Sequence, residues 1–317
     1  MPSRSSIFNF DRRHPLLPIA IFAMLVVLVE TMLSFLPDNA VVQRFHASHI
    51  PPESPDWLVM GDSVAAGGII ASELSDCLDH QYVFNAAIPA TGPAFSYFIL
   101  QRDLAAGRMP KAIIYAPSPH TFASQSLTLL VGGYCHWKEI GEILGTGIKI
   151  PETAYGILCK VSYSLRNREQ ISSLFKNKVA HDVQEEYAGD TPLPMRPANR
   201  HYALNDVLPI LKKPFTVRSF NRLMLGKFLA LARQNHIRVY WVTMPVLSVV
   251  HEGREPYDFD RDYQTFLAGL QKQYGIIVVQ KDFPILDDQS FSDSLHLSPP
   301  AAIKFTQYLG TKLASFK

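Results

Sequence analysis

The stretch W-L-V-M-G-D-S-V-A-A-G-G, residues 57–68, constrains the fold more than any other part of the sequence. Its first four residues form a short apolar run that is typical of a fully buried strand, and Gly61 and Asp62 end that run. A helix is predicted to begin at Val64, and Ser63 directly precedes it. A residue on a strand-to-helix turn lies at the carboxyl edge of a sheet, where open α/β folds bind their ligands. Two roles for Ser63 are open at this point: an N-cap, for which serine is favoured, or a chemically active hydroxyl.

Four further apolar runs, each bounded by turn-forming residues, predict additional strands. They cover residues 81–86, 111–116, 238–244 and 276–280, and helical periodicity occupies residues 64–78, 95–106, 217–235, 263–274 and 301–316. This alternation predicts a three-layer α/β fold with a doubly wound, parallel, five-stranded sheet. Residues 118–214 interrupt the alternation and are predicted to be a long insertion after strand three. Three roles are open for this insertion: a lid over the site, a surface for a partner, or additional structure that buries a flank of the domain.

The composition excludes some classes of function. The chain has 317 residues, enough for a full core, and a formal net charge of +2, which gives no reason to expect a nucleic-acid partner. The three cysteines, Cys77, Cys135 and Cys159, do not make a disulfide framework, although one pair can bridge in an oxidising compartment. They also lack metal-ligand spacing. We therefore expect no metal and no other cofactor.

The first 55 residues predict a membrane anchor. Residues 15–37 are mainly apolar and long enough to cross a bilayer as a helix, with Glu30 as the one charge inside. Three arginines precede this segment, so residues 1–14 are predicted to be cytoplasmic and residues 56–317 to lie outside. Residues 38–55, which contain three prolines, are predicted to be a linker. A cleaved signal peptide and a buried core helix are the alternatives. Glu30 is expected to reach the outer interface or to pair with a partner's helix.

The segment F-S-D-S-L-H-L-S-P-P, residues 291–300, supplies groups that suit a reactive serine. Nucleophilic serine catalysis needs a base and a third group that orients the base. Asp293 and His296 are three residues apart in one loop, and the pKa of histidine near neutrality suits a base. The alternative is a turn-forming aspartate beside an ordinary loop histidine. Because this loop and Ser63 are both predicted at the carboxyl edge of one sheet, the combination favours a nucleophilic Ser63.

Three motifs together resemble the SGNH (GDSL-type) hydrolase superfamily. They are G-D-S after strand one, an asparagine followed seven residues later by a glycine after strand two (Asn85 and Gly92), and D-x-x-H before the terminal helix. The resemblance covers roughly residue 56 to the carboxyl terminus, without the insertion. It implies that Ser63 is the nucleophile, that His296 is the general base and then the acid, and that Asp293 orients His296.

The same resemblance implies an oxyanion hole that this chain only partly matches. The family uses the backbone N–H of the nucleophile, a glycine N–H after strand two and an asparagine side chain after strand three. These imply the N–H groups of Ser63 and Gly92, with Ala90 as a rival because the spacing from Asn85 is longer than in many members. After strand three the chain reads P-S-P-H, without asparagine. Ser118 and His120 are the candidates to replace it, and a hole with two donors is the alternative.

In architecture the chain is similar to a narrower group, the membrane-anchored extracytoplasmic O-acetyltransferase-like and D-alanine transfer-like proteins of cell-envelope polymer modification. This resemblance implies a periplasmic or extracytoplasmic enzyme that moves an acyl group, an acetyl group above all, to or from a cell-envelope polysaccharide through an acyl-Ser63 intermediate. The implied partners are a glycan or another acyl acceptor and a membrane-bound O-acyltransferase. A simple carbohydrate or lipid esterase is one alternative. A catalytically idle scaffold that binds a glycan or an envelope partner is the other.

Overall fold

The computed structural model describes residues 16–36, 51–123, 127, 130–147, 150–168, 171–172 and 213–316. The predicted cytoplasmic tail, most of the linker and part of the insertion lie outside these residues.

A parallel sheet of five strands forms the centre of the protein. The described strands are β1 (Trp57–Gly61), β2 (Val83–Asn85), β3 (Ala112–Ala116), β4 (Arg238–Val242), β5 (Val246–Leu247), β6 (Ile277–Gln280) and β7 (Ile285–Leu286). The main sheet has the order β2-β1-β3-β4-β6, and all its pairs are parallel. The predicted fold class and the five predicted strands are confirmed. The sequence did not predict the separate parallel pair of β5 with β7, because two-residue strands are too short to carry a periodic pattern.

Helices cover both faces of this sheet. The described helices are α1 (Leu16–Leu33), α2 (Ser63–Gly68), α3 (Ala71–Cys77), α4 (Pro93–Ala105), α5 (His120–Ala123), α6 (Trp137–Leu144), α7 (Ile150–Val161), α8 (Tyr163–Arg166), α9 (Ser219–Gln234), α10 (Ser248–Arg254), α11 (Phe259–Tyr274) and α12 (Pro299–Ala314), of which α2, α3, α4, α9, α11 and α12 pack on the sheet. Side chains of β1 alternate between the faces, as in any strand. Leu58 and Met60 pack into the core under α4, α9 and α11, whereas Trp57 and Val59 pack into the core under α2, α3 and α12. The doubly wound architecture therefore follows from a strand that is apolar on both sides.

The helix predicted over residues 64–78 is in fact two helices, and tertiary hydrogen bonds explain the break. Ile69 and Ile70 have extended backbone conformations between α2 and α3. The N–H of Ile70 donates to Thr306 Oγ1 at 3.1 Å, and the carbonyl of Ile69 accepts from Asn85 Nδ2 at 2.8 Å. Partners from α12 and β2 thus replace the bonds that a continuous helix would make.

The described part of the insertion is helical and packs on the core. It contains α5 to α8 and a π-helical turn, Leu130–Tyr134. Arg102 of α4 donates to both carboxylate oxygens of Glu139 in α6, at 2.7 and 2.6 Å, and Ile140 and Ile143 are buried. These residues therefore bury a flank of the domain, while the lid and partner-surface interpretations stay predictions.

Helix α1 is long and apolar enough to cross a membrane, with a mean hydropathy of 2.5 and no buried residue. A signal sequence near the amino terminus meets the same description. The carboxylate of Glu30 accepts hydrogen bonds from Ser162 Oγ at 3.0 Å, from the N–H of Ser164 at 3.1 Å and from the Ser164 hydroxyl. Within the described residues the partners of Glu30 thus belong to the insertion of the same chain, and its place at the outer membrane interface stays a prediction.

Candidate active site

The Gly-Asp-Ser turn connects β1 to α2, and close packing explains its glycine. A Cβ on Gly61 would lie 2.6 Å from the carbonyl oxygen of Ala116 in β3 and 2.7 Å from the Cβ of Ala65 in α2. Real Cβ atoms do not approach backbone this closely. Glycine therefore allows the end of β1 to lie between β3 and the first turn of α2.

Asp62, and not Ser63, caps α2. Asp62 is buried, and its Oδ1 accepts a hydrogen bond from the N–H of Val64 at 3.1 Å. Ser63 is the first residue of the helix and is half-buried. Of the two roles left open for Ser63, the N-cap is thus excluded, because the residue before it already holds the capping position. The Ser63 hydroxyl is therefore not needed as a hydrogen-bond acceptor for the first turn of the helix.

The other oxygen of Asp62 connects this turn to the loop after β3. Asp62 Oδ2 accepts hydrogen bonds from the N–H of Ser118, at 3.0 Å, and from the Ser118 hydroxyl. Both donors of Ser118 are therefore directed at the carboxylate. This geometry removes Ser118 from the candidates for the missing oxyanion donor and gives it a positioning role.

Asn85, the asparagine of the second motif, also positions the nucleophile turn. Its Nδ2 donates to the carbonyls of Ala65 and Ile69, at 3.2 and 2.8 Å, and its Oδ1 accepts from the N–H of Ala87 at 3.0 Å. These bonds hold α2 against the end of β2.

The loop before α12 brings Asp293 and His296 together. Asp293 Oδ2 lies 2.7 Å from His296 Nδ1, and Asp293 Oδ1 accepts from the N–H groups of Leu295 and His296, each at 2.8 Å. An antiparallel bridge between Phe291 and Leu297 closes the loop. Burial raises the pKa of the Asp293 carboxyl, but these hydrogen bonds outweigh burial, so the pKa lies below its usual value of 3.8. Asp293 is thus ionised at neutral pH.

The hydrogen bond to Asp293 fixes which nitrogen of His296 is available. When Nδ1 donates to the carboxylate, the neutral ring carries its lone pair on Nε2. Nε2 is buried and has no hydrogen-bond partner within the part of the chain that the structure describes. Ser63 and His296 are therefore not hydrogen-bonded to each other in this structure. In unliganded enzymes such contacts are often long and tighten only when substrate binds.

His120 lies close to both parts of the site. It begins α5, immediately after the Pro117–Pro119 loop that follows β3. Burial lowers the pKa of His120 below 6.5, the nearby Asp62 carboxylate opposes this, and the nearby His296 lowers the pKa further. His120 is therefore a neutral imidazole at pH 7, able to donate one hydrogen bond without carrying a charge.

Two cavities meet at His120. One of about 180 Å³ is lined by Ala90, Gly92 and His120, together with Asn221 of α9. Both candidates for the second backbone donor therefore lie on the wall of the same cavity as His120. A larger cleft of about 350 Å³ is lined by residues next to the nucleophile and the base, Val64 and Leu295, as well as by His120.

The sequence interpretation missed Arg254, which lines the larger cleft from the end of α10. No motif marks this residue, and the elements around it, β5 and α10, were not predicted. The three cysteines are free thiols. Among the described residues, no group of three or more histidine, cysteine, aspartate or glutamate side chains has a geometry that could hold a metal ion.

Fold and site together define an α/β protein with a serine, a buried histidine nitrogen and an orienting aspartate near the carboxyl edge of one parallel sheet. The sequence matches no protein-family model and no curated protein. Among solved structures, the chain is similar to a candidate lipolytic protein of the G-D-S-L family from Desulfitobacterium hafniense, with 10% identity and a TM-score of 0.38, over 81% of this chain and 99% of that one. It is also similar to a candidate acylhydrolase from Bacteroides fragilis, with 11% identity and a TM-score of 0.34, over 88% of this chain and 96% of that one. These likenesses concern the fold, and the chemistry is argued below from the geometry of the site.

Proposed function

We propose that this protein is a serine acyl-transfer enzyme of the SGNH type, anchored in a membrane by α1. Ser63 is the nucleophile, His296 the general base and acid, and Asp293 the group that orients His296. The observation that carries the proposal is the His296 ring, which is bound to Asp293 through Nδ1 at 2.7 Å and has a buried, unpartnered Nε2. A buried ring nitrogen without a partner is costly unless another group uses it. Proton transfer from Ser63 is that use.

The reaction consists of two balanced half-reactions. Ser63 Oγ attacks the carbonyl carbon of an acyl donor while its proton passes to His296 Nε2, and the alcohol of the donor leaves with that proton. In the second half, an acceptor hydroxyl gives its proton to Nε2 and attacks the acyl-serine. The ester bond to Ser63 breaks, and Oγ regains the proton. Asp293 stabilises the imidazolium that forms in each half-reaction.

Three donors are proposed for the negative charge that develops on the carbonyl oxygen. The N–H of Ser63 is the first N–H of α2, so it has no acceptor within the helix. The second donor is the N–H of Gly92 or Ala90. His120 is the third, because a neutral imidazole beside the base can donate to an oxyanion and His120 lines the cavities on both sides. It thereby takes the place of the asparagine that the family carries after strand three.

We further propose that the acceptor is a hydroxyl of a cell-envelope polysaccharide, that the transferred group is an acetyl group, and that a membrane-bound O-acyltransferase supplies it. The apolar α1 and the arginines before it support an extracytoplasmic catalytic domain. The hydrogen bonds from Ser162 and Ser164 to Glu30 support a domain held close to that anchor.

Partition of the acyl-enzyme tests transfer against hydrolysis. The detergent-solubilised chain is given p-nitrophenyl acetate with and without an acetyl-free envelope polysaccharide, and the acetylated polymer and free acetate are both measured. We expect the polymer to gain acetyl groups at the expense of free acetate, with neither product formed by the Ser63→Ala chain. Acetate as the sole product at every polymer concentration would make the protein an esterase.

A further inference from the structure

The larger cleft has the dimensions of a small-molecule site. Its volume is about 350 Å³, within the range of about 300–1,000 Å³ that ligand pockets occupy. Val64 and Leu295, the neighbours in sequence of Ser63 and His296, line it together with Arg254. A group bound there therefore contacts residues adjacent in sequence to the proposed nucleophile and base.

Arg254 is an unusual residue to find in such a wall. It is 3% exposed, and its guanidinium carbon lies 3.9 Å from the ring centre of Phe283 and 4.9 Å from that of Phe259. Nε is 2.8 Å from Asp260 Oδ1. This contact is an ion pair, and both Nε and Nη2 are buried with no hydrogen-bond partner among the residues that the structure describes. A buried charged donor without an acceptor is costly, and a bound anion would remove that cost.

The charges around the cleft favour an anion as well. Lys213 and Arg218 line it together with Arg254, and no aspartate or glutamate belongs to its described lining. Asp260, which lies outside the lining, divides its carboxylate between Arg254 and His251, whose Nδ1 is 2.9 Å from Oδ2. The cleft therefore keeps a net positive charge. The rest of its wall is largely apolar, with Phe215, Met244, Val246 and Val250 among the lining residues.

We propose that this cleft binds a carboxylate-bearing part of the substrate, with the carboxylate on Arg254 and an apolar chain against the phenylalanines. The inference rests on the proposed acyl transfer, because it adds the chemical class of the group that lies beside Ser63. A carboxylate suits the site better than a phosphate dianion. The guanidinium already forms an ion pair with Asp260, which offsets part of its charge, and the apolar wall solvates a dianion poorly.

Binding to the full-length Ser63→Ala chain in detergent tests the proposal without any need for turnover. Hexanoate and hexanamide have the same length, and only hexanoate carries a charge. A hydrogen bond to a charged group corresponds to a factor of roughly ten or more in affinity. We expect calorimetry to give a dissociation constant for hexanoate at least about tenfold below that for hexanamide. Equal affinities, or tighter binding of butyl phosphate than of hexanoate, would overturn the proposal.

Variants then connect the preference to Arg254. In Arg254→Met the preference for hexanoate should disappear while hexanamide binds as before, which shows that the cleft is still formed. Arg254→Lys keeps the charge and should retain part of the preference. Arg233→Met removes the same charge at the end of α9, near the opposite edge of the sheet, where Arg233 donates to the carbonyl of Gln273. This control should behave like the parent chain, and an unchanged preference in Arg254→Met would contradict the assignment.

Turnover by the wild-type chain identifies which part of the substrate carries the carboxylate. A higher kcat/KM for mono-p-nitrophenyl glutarate than for p-nitrophenyl pentanoate places it on the acyl group. If the two esters have equal kcat/KM and acyl transfer is faster to a carboxylate-bearing alcohol than to the corresponding amide, the carboxylate belongs to the acceptor. Absence of any acyl-enzyme with intact hexanoate binding would refute the proposed function and leave the carboxylate site standing.

Discussion

Asp62 and Ser118 are hydrogen-bonded twice, through the N–H of Ser118 at 3.0 Å and through its hydroxyl, although 56 positions separate them in the chain. This pair joins the turn that carries Ser63 to the loop that carries His120. Because β1 and β3 end level with each other, with Gly61 opposite Ala116, the two loops meet at the point where the strand order reverses. That point is where open α/β sheets bind their ligands.

Removing the Ser118 hydroxyl should destabilise the protein. Ser118→Ala leaves a buried carboxylate with one hydrogen bond fewer, and bonds to charged groups contribute about 1.5–3 kcal/mol. We expect urea unfolding in detergent to show a loss of that size. Ser290→Ala is the matched control, because Ser290 Oγ donates to Asp287 Oδ1 at 2.7 Å in an exposed turn, and it should lose less than about 0.5 kcal/mol. Equal losses in the two variants would argue against a special role for the buried pair.

Asp293→Asn should abolish most of the activity without unfolding the domain. Asparagine keeps the size of the side chain but presents either an amide donor or a neutral acceptor to His296 Nδ1, so the ring loses the orientation and the charge that it needs. Losses of kcat of about 10⁴ accompany this change in serine proteases. Steady-state kinetics with p-nitrophenyl acetate should show a fall of about 10³–10⁴. Asp287→Asn, in the preceding turn, should stay near wild-type, and near-normal turnover by Asp293→Asn would remove Asp293 from the mechanism.

His120 should make folding stability depend on pH. Its pKa is lowered in the folded protein, by burial first and by His296, with Asp62 opposing both. As pH falls through about 6.5, the unfolded chain takes up a proton that the folded chain refuses, so stability is lost on acidification. We expect His120→Asn to weaken the fall in unfolding free energy between pH 7.5 and pH 5.5. An unaltered slope in His120→Asn would show that His120 does not titrate as described.

The hydrogen bonds to Glu30 predict that α1 stays attached to the mature protein. Cleavage after the apolar segment would remove the acceptor for Ser162 and Ser164. The intact mass of protein purified from membranes should therefore include residues 16–36, and alkaline carbonate should not release it. A shorter protein in the soluble fraction would identify the segment as a cleaved signal sequence.

Local patterns made the fold and one half of the site predictable from the sequence. The five strands are short apolar runs that each carry their own signal, and Asp293 and His296 lie in one loop, so their spacing was enough to predict that they meet. Contacts between distant segments carry no such signal. The Asp62–Ser118 pair and the Glu30–Ser164 pair depend on how the elements pack. The position of Arg254 in the cleft depends on β5 and α10, which are too short to be recognised from the sequence.

The capping residue illustrates the same limit within a single motif. Both Asp62 and Ser63 are good N-cap residues by type, but the sequence analysis considered only Ser63 for the cap. In the structure the N–H of Val64 donates to Asp62 Oδ1, so the helix begins after Asp62. Asp62 therefore holds the cap, and the Ser63 hydroxyl is left for chemistry.

Trapping the acyl-enzyme is the most direct test of the central claim, that Ser63 takes the acyl group. The full-length chain is mixed briefly with p-nitrophenyl acetate or a fluorophosphonate, quenched in acid and digested, and the modified peptide is identified by mass spectrometry. We predict one modified site, Ser63, with no modification in Ser63→Ala and strongly reduced modification in His296→Ala. A folded wild-type chain that is unmodified by both reagents, or modified at another serine in place of Ser63, would contradict the account.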